Sequence, residues 1–218
     1  MKIIKNLFIA LIVLIIALAM IGLLLPRVSN VTRATVVQAP AEVIFAQVND
    51  LKKNEAWSPW KDPTMKLTYG PITEGKGAVS SWVSKNMGSG TMTIEESVPN
   101  SAINIGLDFG AMGQSKALWT FAPEGAGVKV TETMRNDAGM NPLRRWMNLG
   151  SEKWIGPYFE RGLASLKQVS EARAGELLAE KAAADKAAAD AAALAAATAA
   201  ADSAKAAASK PHKGKKGH

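Results

Sequence analysis

The chain contains no cysteine among its 218 residues. That excludes disulfides, zinc–thiolate centres and thiol nucleophiles, and it leaves the redox compartment open. Histidine is nearly as scarce, with 2 copies, His212 and His218, both close to the C-terminus. The body of the chain therefore has no imidazole to carry protons near neutral pH. An HExxH motif, a GxSxG elbow and a phosphate-cradling glycine loop are all missing. The glycines of residues 106–113 lack the strand-to-helix setting of a dinucleotide fingerprint and fit hairpin turns instead. A strongly basic domain is absent as well. The formal charge of +7 divides as +2, +3 and +2 over residues 1–26, 27–170 and 171–218, with 16 basic against 13 acidic residues in the middle segment. No domain-wide basic face is left to recognise a specific nucleic acid. No cofactor or metal ion is expected.

Charge is missing altogether from residues 7–25, LFIALIVLIIALAMIGLLL. A helix of that length rises about 28 Å, close to the hydrocarbon thickness of a bilayer. The rival is a cleaved signal peptide, because Ala17-Leu18-Ala19 mimics a small-x-small cleavage site. The apolar run continues past that point through MIGLLL, which favours an uncleaved anchor. The flanking charges are nearly balanced, Lys2 and Lys5 against Arg27 and Arg33. The expectation is a single-pass protein of a bacterial inner membrane, with the domain that follows on the periplasmic side.

Residues 27–170 have enough chain for one sizeable core. Val31 to Gln38 is β-branched and alternating, as a half-buried strand requires. Ala39-Pro40 ends it, and Val43, Ile44, Phe45 and Val48 then form a helical stripe. Asp50 is placed to cap a second short helix, which closes on Trp57-Ser58-Pro59-Trp60. Strand patterns follow over 65–70, 77–85, 90–98, 102–109, 115–121 and 128–135, punctuated by Gly, Pro and Asn. The clearest is Ile103, Ile105, Leu107 and Phe109 alternating with Asn104, Gly106 and Asp108. Such spacing argues for an antiparallel meander. Asn141-Pro142 then starts a helix, and Ile155, Phe159, Leu163, Leu166 and Val169 share one stripe. Gly156-Pro157 predicts either two helices meeting there or one kinked helix.

The sequence of an alternating strand, Ala39-Pro40, Glu42-Val43-Ile44-Phe45, Val48-Asn49-Asp50 and Trp57 to Trp60 resembles the opening of the START-like, Bet v 1-like (SRPBCC) superfamily. Within it, the nearest likeness is to the bacterial polyketide cyclase/dehydrase and lipid-transport group. The resemblance covers about Val28 to Ser170 and is silent about the ligand. It implies an α+β helix-grip fold: a curved antiparallel sheet of about seven strands around a long C-terminal helix, with a cavity between them. The expected organisation is thus an anchor at 1–26, the helix-grip domain at 27–170, and an appendage at 171–218. That appendage is an alanine-rich, low-complexity spacer with partial helicity and a basic end from Lys210. The basic end could touch an anionic surface, or it could be a solvated tail without a partner.

Cavity-lining candidates are Trp82, Met92, Ile94, Ile105, Leu107, Trp119, Phe121, Met134, Ile155 and Phe159, and core packing could equally employ the two strand tryptophans. Two carboxylates share parity with apolar neighbours: Glu96 with Met92, Ile94 and Val98, and Glu132 with Val128, Val130 and Met134. Pointing inward, either would have a raised pKa and could serve as acid or base. A bulge or a strand end would instead turn them to water. Asp108 falls on the polar parity. Trp57 and Trp60 would brace the short helices, while Trp146 and Trp154 could guard a cavity mouth or dip into a membrane interface. Three functions fit these observations. The first is a membrane-anchored holder of a hydrophobic small molecule or lipid. The second, ranked lower for want of histidine, is a cyclase/dehydrase-like enzyme using Glu96 or Glu132. The third is a structural envelope protein without ligand.

Overall fold

Apolar alternation and proline punctuation divide the chain much as they predict. The computed structural model describes residues 2–208, in the order α1 (Lys2–Leu24), β1 (Val28–Val37), α2 (Ala41–Asn49), α3 (Asn54–Trp57), β2 (Lys66–Tyr69), β3 (Val79–Ser84), β4 (Gly88–Val98), β5 (Ala102–Asp108), β6 (Gln114–Glu124), β7 (Gly127–Asp137) and α4 (Pro142–Ala208). The strands form one antiparallel sheet of 7, ordered β1-β7-β6-β5-β4-β3-β2. From β2 to β7 each strand pairs with its successor. Only β1 leaves chain order, pairing with β7 so that Val31 lies opposite Met134 and Arg33 opposite Glu132. Asn100, at φ 57, turns β4 into β5 in a left-handed conformation that asparagine tolerates better than most residues. This is the helix-grip architecture, a sheet with a long C-terminal helix.

Asp50 does not cap α3 as its spacing predicts. Its carboxylate accepts from the Lys52 amide at 2.9 Å, and its carbonyl from the Asn54 amide at 3.2 Å, which ties the turn before the helix. Val43, Ile44, Phe45 and Val48 of α2 are buried, and Phe45 meets Phe121 edge-on at 5.6 Å. From α4, Phe159, Leu163 and Leu166 are buried against the sheet. Leu166 is 0% exposed, so Leu166→Ala should cost about 2–5 kcal/mol in denaturant unfolding. A loss well under that range would mean that α4 is not part of the core.

Gly156-Pro157 lies inside one continuous helix. Pro157 and Lys153, a turn earlier, are both exposed, so the carbonyl left without an amide partner faces water. Gly156 lies beneath the Arg33 guanidinium, where a larger residue would collide with it. That guanidinium donates to Glu152 at 2.6 Å and to Glu160 at 2.8 Å, one on either side of the pair, and holds the helix to β1 across its weak point.

Among the described residues, α1 is the one helix long and apolar enough to cross a membrane. From Gly175 onward the described residues, 175–208, form a separate unit. Residues 175–208 are helical, as their alanine content favours, with a Lys181–Asp185 pair at 2.8 Å one turn apart. The basic end from Lys210, with both histidines, lies outside the described residues.

Candidate functional site

The groove between sheet and helices is filled at one end and hollow at the other. At the filled end α2 presses Ile44, Phe45 and Val48 against the sheet, and Ile94 and Ile103 are 0% exposed. At the hollow end no helix of comparable length is present. There α3 is a single turn, and its Trp57 reaches down to meet Trp119 edge-on at 5.5 Å. The indole nitrogen of Trp57 donates to the Gln47 carbonyl at 3.1 Å, and Trp60 stacks on Tyr158 at 4.3 Å. These aromatics hold the short helix off the sheet, leaving a cavity of about 1170 Å³. That volume lies somewhat above the usual range for small-molecule sites.

The sheet contributes Met92, Ile105, Leu107, Trp119 and Met134 to the cavity wall, and α4 contributes Ile155 and Phe159. Trp82 lines it too, lying over Gly90, where a β-carbon would strike the indole, and meeting Phe109 edge-on at 5.7 Å. Two candidates from the strand pattern lie elsewhere. Ile94 and Phe121 are packed solid against the α2 end of the groove and do not reach the cavity. Alternation shows which side of the sheet a residue faces; it does not show which half of that side is occupied.

The two carboxylates part company. The register shifts between Ile94 and Glu96, and the extra residue reverses parity, so Glu96 is exposed and accepts from the Asn104 amide at 2.8 Å. Ser97 takes the inward place, donating to Asn49 at 2.6 Å. Glu96 is thereby removed from the site.

Glu132 stands mid-strand on β7, facing the cavity and 8% exposed. Arg33, its neighbour on β1, directs its guanidinium to Glu152 and Glu160 instead. No hydrogen bond or ion pair reaches the Glu132 carboxyl among the described residues. Burial alone pushes its pKa from 4.5 up to about 8. At neutral pH it is therefore a neutral acid, able to donate one hydrogen bond into an apolar space.

Two further polar groups share the wall. Ser115 donates to Asn136 at 2.6 Å, and both line the cavity. Their parity matches Ala117 with Trp119 and Glu132 with Met134, so the alternation contained this signal unread. Tyr158, by contrast, carries no pattern that marks it as a stacking partner. At the rim, Tyr69 donates to Glu55 at 2.5 Å, and burial together with that carboxylate raises its pKa. No group of three or more His, Asp or Glu side chains could hold a metal ion among the described residues.

A sheet, a clasping helix and a largely apolar cavity with one buried, unpartnered acid have the form of a receptacle. The profile of the family described as "Polyketide cyclase / dehydrase and lipid transport" matches residues 29–171. The chain belongs to that family. A solved protein of unknown function from Staphylococcus aureus has the same fold, with a TM-score of 0.53 and 11% identity over 67% of this chain and 95% of its own. Another solved protein, from Chromobacterium violaceum, gives a TM-score of 0.49 and 15% identity over 66% of this chain and 98% of its own. Compared with curated proteins, the chain matches none. Family and fold together support a ligand-binding domain.

Proposed function

We propose that the domain holds a hydrophobic molecule, a lipid or a polyketide-like compound, with its polar group against Glu132, and that α1 keeps it anchored in a membrane. The observation that carries this is the cavity itself: its wall is aromatic and aliphatic, and its one deeply buried titratable group lacks a partner. An unpartnered buried polar group costs free energy that a bound hydrogen-bond acceptor would return. A carbonyl, ester or hydroxyl oxygen on an otherwise apolar body fits that need. The exposed helical unit from residue 175 serves as a spacer.

Native mass spectrometry of the full chain, released from its own membrane, tests the proposal. The expected result is a non-covalent adduct of lipid size on a chain that retains residues 1–26. A bare chain at every charge state would reject the ligand, and a mass lacking those residues would reject the anchor. A second reading is favoured by one observation. A carboxyl with a pKa near 8 is matched to proton transfer at neutral pH, as a cyclase or dehydratase would need. Recovery of a chemically altered molecule from the cavity would select it.

A further inference from the structure

The last turns of α1 are locked to the first turns of α4. Arg145 is buried and donates to the carbonyls of Leu23 and, at 3.2 Å, Leu25, which the helix end leaves unpaired. The same guanidinium donates to the Gly139 carbonyl at 2.9 and 2.8 Å. A cation at that position also complements the negative end of the α1 dipole. Gly22 permits the approach, since a β-carbon there would come within 2.8 Å of Pro142 and 2.9 Å of the Trp146 indole. Trp146 donates to the Leu18 carbonyl at 3.0 Å. Leu18 lies on the order of 10 Å back along the helix from Leu25, at 1.5 Å per residue.

That spacing has a consequence if α1 crosses a bilayer. With the apolar run ending at Leu25, Trp146 sits roughly 5–10 Å below the edge of the run, about the depth to which the apolar face of an interfacial helix reaches. The surface around it is apolar and uncovered: Met140 is 75% exposed, Leu143 68% and Met147 37%. Met112 and Trp154, 58% and 66% exposed, extend it, and both of them line the cavity, as does Met147. We propose that this face is embedded in the same bilayer that α1 crosses. The cavity then opens onto lipid, and its occupant enters sideways from the membrane without passing through water. The inference rests on the uncleaved anchor and on the cavity being a binding site.

Because the chain has no cysteine, every introduced one is a unique labelling site. Full-length Leu143→Cys and Met112→Cys, each spin-labelled and reconstituted in phosphatidylcholine–phosphatidylglycerol nanodiscs, report immersion through collision with oxygen against a water-soluble nickel chelate. Val98→Cys, at the far end of β4, is the control. Labels at 143 and 112 should favour oxygen severalfold over the label at 98, and equal ratios at all three sites would overturn the proposal. Gly22→Leu, which collides with Pro142 and Trp146 but leaves the domain core untouched, should lower immersion at 112 severalfold. Unchanged immersion there would overturn the role given to the α1–α4 contact. The labels report whether or not the cavity is filled, so a bare chain in native mass spectrometry would sink the ligand and leave this result standing.

Discussion

Glu132→Gln should make the domain more stable, increasingly so as pH rises. Burial holds the native carboxyl at a pKa of about 8 against 4.5 for the free group. Below pH 4.5 the side chain is neutral in both native and unfolded chains, and its full contribution to stability is present. Between 4.5 and 8 the unfolded chain releases this proton and the native one keeps it, so stability falls by about 1.4 kcal/mol per pH unit. Above 8 the native carboxylate is ionised in an apolar wall and the loss is complete, on the order of 4–5 kcal/mol. Glutamine fills nearly the same volume and never ionises. The stability difference between the two chains, from denaturant midpoints at matched pH, should be flat below 4.5, rise through neutrality and level off above 8. Other groups cancel in that difference. A gap that does not change with pH would show that Glu132 is solvated or paired.

Leu107→Trp should empty the cavity of its ligand while the fold survives. Leu107 stands on β5 at half-burial with open space before it, between Met92 on one neighbouring strand and Ser115 on the other. The added ring would extend into the hollow and not into packed neighbours, so overpacking strain stays toward the low end of about 1–3 kcal/mol. The adduct seen in native mass spectrometry should fall roughly tenfold or more, a loss of about 1.4 kcal/mol or more in binding. Full occupancy with an intact fold would place the ligand elsewhere.

Much of this architecture is written locally in the chain. β5 declares itself through Ile103, Ile105 and Leu107, and Pro40 and Pro142 mark the boundaries before α2 and α4. Those signals are short-range, set by the pleat and by proline geometry. Parity made Glu132 a candidate for the inward face for the same reason, but left a turn to water equally open. For Glu96 the sequence left an inward aim and a bulge side by side, because a bulge is a tertiary accommodation, and consecutive glutamates at 95 and 96 give no hint of which one lies beyond it. Ile94 and Phe121 were misplaced because α2 occupies their half of the groove, which no strand pattern encodes. Gly156-Pro157 looked like a break because Arg33, distant in sequence, supplies the ties to Glu152 and Glu160 that bridge it. Hollow space is the least legible feature of all, since apolar residues that line a cavity read the same as those that fill a core.

An experimental structure of the full chain, purified from its source cells with its contents kept, is the decisive measurement. Elongated density in the hollow, its polar end within hydrogen-bond reach of the Glu132 carboxyl, is the expected result. Ordered water throughout that space, or a sheet collapsed onto Ile155 and Phe159, would contradict the receptacle.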